Sequence, residues 1–290
     1  MMVIKFKKYK IVFMISIVIF FTFSIFVFNM DSIDVLSEHK GIELPVVMYH
    51  QLTKCESRAG KYVLLLDEFE RDLKFLKNNG YETVTVNEII GFVNGKCDLP
   101  EKSIMITFDD GCETLYSYAL PLLEKYGFNA VGFAVGSLAD TYTELDDHNL
   151  NYSCLDWNEI KEMCKGGTVD IQSHSYDLHK NTAERSGAKK KKDESFEEYS
   201  EFLTDDVSKM KERMIKHTGK APVAFAYPFG SYSAESAEIL KKCGIEMVFT
   251  CEERVNIIKK SEPDCLFRLG RYNRSDGISS ESFFGKMGIG

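Results

Sequence analysis

No two of the eight cysteines, at 55, 97, 112, 154, 164, 243, 251 and 265, form a CxxC pair, so the sequence offers no zinc knuckle. Basic residues are also short: Lys and Arg number 36 against 44 Asp and Glu, a formal charge of -8. The four charged residues before position 29 are all lysines, which leaves the remainder more acidic still. Such a body has no cation excess with which to displace counterions from phosphates, and this argues against nucleic-acid binding. Prolines number only 6 and no internal repeat is visible; with 44% hydrophobic and 28% charged residues the composition is globular. An even cysteine count permits disulfides in an exported domain, but spacing assigns none.

Charge is absent altogether from residues 11–28, IVFMISIVIFFTFSIFVF. At about 1.5 Å per residue this run spans ~27 Å, enough for a hydrocarbon core of roughly 30 Å. Lys5, Lys7, Lys8 and Lys10 ahead of it predict a cytoplasmic N-terminus. The following NMDSIDVL has no small-x-small cleavage site, which favours an uncleaved signal anchor over a removed signal peptide. The expected layout is a basic segment at 1–10, a transmembrane helix at 11–28, a tether at 29–44 and one folded domain at 45–290. That domain then faces outward on the cell membrane, or is secreted if the segment is cleaved.

From Pro45 onward apolar bursts alternate with amphipathic stretches. PVVMYH (45–50), SIMITFD (103–109), AVGFAV (130–135), TVDIQS (168–173), VAFAY (223–227) and EMVFT (246–250) read as strands. Helical patterns fall at 67–80, after the 103–109 run to about Lys125, at 156–165, 195–217 and 233–243. Alternation of this kind implies parallel pairing, and seven or so units favour barrel-like closure over an open sheet.

Functional groups in parallel α/β folds gather at the carboxyl ends of the strands. Four polar signals fall there: His50, the pair Asp109 and Asp110, His174, and Tyr227–Pro228–Phe229. A bland account exists for each. A lone histidine is usually structural, and Asp110 with Glu113 spells a capping box for a following helix. HSYDLH (174–179) is more informative, because histidines five apart share neither a helix face nor a strand face. To hold one metal ion they need a backbone that curls between them. Two imidazoles and one Asp would then leave an open coordination position, as catalytic zinc sites do.

TFDDG (107–111), HSYDLH and YPFG (227–230) resemble the three leading motifs of the polysaccharide deacetylases, the NodB-homology or carbohydrate esterase family four domain. The likeness runs from about Pro45 to Phe284, with DWNEIKEM (156–163) and RLGRYNR (268–274) in the same style. The resemblance implies a distorted (β/α) barrel of about seven strands and a catalytic domain at 45–290. It implies Asp109 as general base and Asp110, His174 and His179 as ligands of a divalent metal, most readily Zn2+, with Ni2+, Co2+ or Fe2+ accepting the same set.

Two places depart from the usual pattern. Ala226 stands where the third motif normally has the Arg that holds the base, and CLFRLGRYNR lacks the late histidine that acts as general acid. A branch that includes the poly-N-acetylglucosamine deacetylases instead takes its acid from an early Tyr-His pair. MYHQL (48–52) resembles that element, which makes His50 the acid. The implied reaction is metal-assisted removal of N-acetyl groups from an N-acetylhexosamine polysaccharide, peptidoglycan or poly-N-acetylglucosamine, with Tyr227, Pro228 and Phe229 near the oxyanion and substrate. An O-acetyl esterase and a catalytically weak glycan-binding protein of the same fold are the alternatives. Oligomeric state is not readable.

Overall fold

The computed structural model describes residues 41–290. The basic segment 1–10, the anchor expected at 11–28 and most of the tether lie outside them. Among the described residues no helix is long and apolar enough to cross a membrane.

Eight strands make the main sheet: β1 (Val46–Tyr49), β2 (Ser103–Phe108), β3 (Ala130–Ala134), β4 (Val169–Ser173), β5 (Ala224–Ala226), β6 (Met247–Phe249), β7 (Phe267–Leu269) and β8 (Tyr272–Asn273). They run parallel and side by side in chain order from β1 to β7, while β8 returns to the free side of β1. A short strand, Glu82–Thr83, pairs with the start of β2. Strands β7 and β8 are the two ends of this path, although only Gly270 and Arg271 separate them in sequence. The result is an α/β half-barrel with a seam at Gly270–Arg271. The parallel order matches the expectation from alternation, and full closure of the ring is not reached.

Strand β2, SIMITF, is buried at every residue, as a parallel strand covered on both faces must be. Its alternate side chains enter two different cores. Ile104, Ile106 and Phe108 pack outward against Phe69, Leu73 and Leu76 of the helix Leu66–Asn78 and Ile160 of the helix Trp157–Gly166. Met105 packs inward with Val131, Phe133, Ala224, Ala226, Met247 and Phe249. The helix Val86–Val93, fixed by a Thr85–Glu88 capping box, adds Val86, Ile89 and Phe92 to that inner core. Where β4 meets β5 the backbone register is sparse, and the Gln172 side-chain oxygen instead accepts the Val223 and Ala224 N–H groups at 2.9 Å each.

A buried polar knot ties the first and last parts of the domain together. Asp72, on the helix Leu66–Asn78, accepts from Tyr49 Oη at 3.0 Å, Arg274 Nε at 2.8 Å and Ser280 Oγ at 2.7 Å. β1, the segment after β8 and the helix Ser280–Gly285 are thereby held to one carboxylate. The capping box that the spacing of Asp110 and Glu113 would allow does not form. Asp110 takes a left-handed φ of 68°, Glu113 bonds to Ser117 Oγ, and the helical turn begins only at Leu115.

Candidate active site

The strand period places the first residues of the site. In β2 the inward positions are Ser103, Met105 and Thr107, and the same parity carries Asp109 to the inner rim. In β4 the parity of Asp170 and Gln172 carries His174 there too. The main-chain N–H groups of both are anchored, Asp109 on Tyr49 O and His174 on Ala134 O, at 2.9 Å each. The chain then turns sharply. Asp110 and Gly111 are both left-handed, at 68° and 64°, and a Cβ on residue 111 would meet Ala134 Cα at 3.2 Å. Glycine is therefore required, and the turn sends adjacent carboxylates in different directions.

Asp110 Oδ1 lies 3.4 Å from His174 Nε2 and 3.1 Å from His179 Nε2. A tetrahedral ion with bonds of about 2.1 Å needs donors about 3.4 Å apart, so the three atoms suit one small cation. Their mutual distances all fall within 4.8 Å. The backbone between the histidines curls as their spacing requires, with Ser175 at a φ of 79°. Asp206, from the helix Phe196–Thr218, accepts the Tyr176 and Asp177 N–H groups at 2.8 Å each and holds that curl. His174 Nδ1–H donates to Ala226 O at 2.8 Å, which fixes the tautomer and leaves Nε2 as the lone-pair donor. That second bond is what a metal-ligating histidine needs, and the donor set fits a divalent cation.

Asp109 is held differently. Arg271 Nη1 and Nη2 donate to its two oxygens at 2.5 and 2.7 Å, while Arg271 Nε donates to Thr250 O at 3.0 Å. Both side chains are buried. Burial pushes the Asp109 carboxyl up, the guanidinium pushes it down, and the guanidinium prevails. For Asp110 burial likewise opposes ionisation, but His174 and His179 hold it well below the usual carboxylate range. The same contact raises His179 against its own burial.

A cavity of about 550 Å³ opens over these groups, lined also by His50, Tyr62, Phe229 and Asn273. His50 follows β1 on the wall of this cavity, its ring 4.8 Å from that of Tyr62. Burial lowers its pKa. Phe229, at a φ of 60°, covers His179 with ring centroids 4.5 Å apart. Tyr227 and Pro228 require a correction. Tyr227 has the outward parity of Phe225, is buried, and stacks on Tyr232 at 4.8 Å; Pro228 is buried in the turn. Of the three, Phe229 alone lines the cavity.

The sequence expectation missed Arg271. The guanidinium thought to be absent at Ala226 arrives from the seam, inside the RLGRYNR stretch. Asn273 also lines the cavity, with its Oδ1 buried and, among the described residues, without a hydrogen-bond partner. A single Asn ending a two-residue strand carries no periodic signal that marks it.

The sequence profile of the family described as polysaccharide deacetylase matches residues 96–248. Over 193 residues the chain is 31% identical to a poly-beta-1,6-N-acetyl-D-glucosamine N-deacetylase of Staphylococcus epidermidis, covering 67% of this chain and 63% of that protein. It is 29% identical to the enzyme of that name from Staphylococcus aureus, covering 67% of this chain and 62% of that one. Among solved structures, IcaB from Ammonifex degensii is 26% identical with a TM-score of 0.66, over 86% of this chain and 97% of that one. A de-N-acetylase from Aggregatibacter actinomycetemcomitans is 25% identical with a TM-score of 0.69, over 85% and 98%.

Proposed function

The chain belongs to the polysaccharide deacetylase family, and from that premise we propose that it hydrolyses N-acetyl groups on a poly-N-acetylglucosamine polymer of the β-1,6-linked type. One observation supports this most directly: a carboxylate ionised by Arg271 sits beside, and is not part of, the Asp110–His174–His179 set. The names of the staphylococcal relatives support the polymer.

Asp110 Oδ1, His174 Nε2 and His179 Nε2 would hold the divalent cation, with Zn2+ the first choice for an imidazole and carboxylate donor set. When bound, such a cation lowers the pKa of a water to roughly 7 and polarises a carbonyl oxygen. Asp109 takes the proton of the attacking water on a carboxylate oxygen, and Arg271 keeps that carboxylate charged and aimed. The backbone N–H at Phe229 donates to the developing oxyanion. His50 hands a proton to the leaving nitrogen, which otherwise would have to depart as an amine anion. A lowered pKa makes its charged form a stronger acid and, at neutral pH, a smaller fraction of the protein. The apolar run at 11–28 supports a membrane-anchored enzyme facing outward.

Acetate release from β-1,6-linked N-acetylglucosamine oligomers, peptidoglycan fragments and acetylated xylan tests the proposal. Release from the first in excess of the other two is expected. Release from acetylated xylan alone establishes an O-acetyl esterase instead, and none from any substrate by metal-loaded protein establishes a binding protein.

A further inference from the structure

A second set of ligating atoms lies beyond the catalytic turn. Glu113 follows the Asp109–Gly111 motif, His148 sits on the loop after the helix Gly136–Leu145, and Glu159 is in the first turn of the helix Trp157–Gly166. His148 Nδ1 is 3.4 Å from Glu113 Oε2 and 3.2 Å from Glu159 Oε1. All three atoms lie within 4.8 Å of one another. These spacings again match the edge of about 3.4 Å that a tetrahedral ion with 2.1 Å bonds requires.

Each carboxylate has one oxygen already engaged. Glu113 Oε1 accepts from Ser117 Oγ at 2.8 Å, and Glu159 Oε2 accepts the Asp156 N–H at 2.9 Å as half of a capping box. The other oxygens, Oε2 and Oε1, aim at the same point. Side-chain exposure is 3% for Glu113 and 10% for Glu159, so two acids that repel one another are buried face to face. A single imidazole, 43% exposed, stands between them and water. Its far nitrogen, Nε2, is 3.5 Å from Asp146 Oδ1, the outer carboxylate that a ligating histidine commonly carries. The loop is built without help from His148: Asp147 accepts from Asn149 N, Ser153 Oγ and Tyr152 Oη at 2.9 to 3.2 Å. His148 and Asp146 are left to face the two acids.

We propose that Glu113, His148 and Glu159 form a second divalent-cation site, separate from the catalytic set. One imidazole nitrogen with two carboxylate oxygens suits Zn2+, Co2+ or Mn2+ better than Ca2+ or Mg2+, which take oxygen donors. The half-exposed side leaves room for water in the fourth position. Burial, with Glu113 adding to it, pushes the Glu159 carboxyl upward, opposed by the Asp156 N–H. A bound ion would staple the 146–153 loop to the strand segment that carries Asp110. That segment and the loop already pair, through Glu113 N to Ser153 O at 2.9 Å and Leu155 N to Gly111 O at 2.8 Å.

The test counts zinc in the full chain after equilibration and removal of free metal, in wild type, His148→Ala, Glu159→Gln, His179→Ala and the His148→Ala, His179→Ala double variant. Two zinc per wild-type chain, one in each single variant and none in the double variant are expected. Zinc should also raise the Tm of His179→Ala and leave that of the double variant unmoved. One zinc in wild type, kept by His148→Ala and lost by His179→Ala, overturns the second site and leaves the catalytic one standing. The reverse, zinc kept by His179→Ala and lost by His148→Ala, overturns the catalytic ligand set instead.

Discussion

Arg271 and Asp109, 162 residues apart, meet through two parallel hydrogen bonds at the seam of the half-barrel. The guanidinium lies under the rings of Phe133 and Phe249, at 5.5 and 5.7 Å from their centroids, so the arginine is shielded from water while Asp109 still borders the cavity. Arg271→Lys keeps the charge and loses the fork. Because the guanidinium holds Asp109 down, weakening it raises the carboxyl's pKa, and a base is lost as pH falls through that pKa. The acid limb of the kcat/KM profile should move to higher pH. An unmoved limb would show that Arg271 does not tune the base.

Asp109→Asn removes the proton acceptor and retains the shape. General-base contributions are typically about 10²–10⁴-fold, and kcat should fall by that order. Bound metal, measured in the same preparation, should stay at the wild-type level because Asp110 is the ligand. Loss of both together would mean that the two aspartates have been assigned the wrong roles.

Asp206 ties the long helix to the histidine curl and is pushed up to about 6, chiefly by burial, against 3.8 for the ordinary side chain. The folded state therefore binds a proton more tightly than the unfolded chain between those values. Its contribution is fully present below the unfolded pKa and is lost as pH rises through about 6. The stability of wild type relative to Asp206→Asn should grow between pH 7 and pH 4, read from urea midpoints. Asp206→Ala leaves two N–H groups without their acceptor, at about 1–3 kcal/mol each, and should weaken metal binding as well.

Asp72→Ala strips the nearer of two carboxylates from Arg274, whose side chain is fully buried beside it, and leaves Glu68 at 3.6 Å. Breaking a buried ion pair on one side costs about 3–5 kcal/mol. The urea midpoint should drop accordingly, with no direct effect on the metal ligands. A change under about 1 kcal/mol would be of the size expected for an exposed pair and would contradict the burial.

Asn273→Ala removes an amide from the cavity wall, where its Nδ2 donates to Lys61 O at 3.0 Å. KM for the oligomer should rise several-fold with a smaller change in kcat, as a binding contact common to ground and transition state predicts. An unaffected KM would place the sugar elsewhere in the cavity.

Much of this was legible because it is periodic or local. β2 is continuously apolar, so the position of Asp109 and Asp110 followed from the strand's end. The curl between His174 and His179 followed from a spacing that no regular element satisfies. What stayed hidden depends on distant segments meeting. Arg271 reaches Asp109 because β8 returns to β1, and no property of RLGRYNR announces that return. Tyr227 was misplaced for the opposite reason: it adjoins Phe229 in sequence, yet strand parity turns it outward to Tyr232. Asp110 and Glu113 have the spacing of a capping box, but the left-handed Asp110–Gly111 turn overrides it and leaves both carboxylates for other work. The helix Gly136–Leu145 carries Gly136, two threonines and a low apolar count, and its pattern is too weak to read.

The most direct test measures acetate released from a defined β-1,6-linked N-acetylglucosamine oligomer while counting bound metal in the same samples, for wild type, Asp109→Asn and His179→Ala. Release by wild type alone is predicted, with the catalytic-site metal retained by Asp109→Asn and missing from His179→Ala. Release by Asp109→Asn at the wild-type rate, or full metal content and full activity in His179→Ala, would contradict the account.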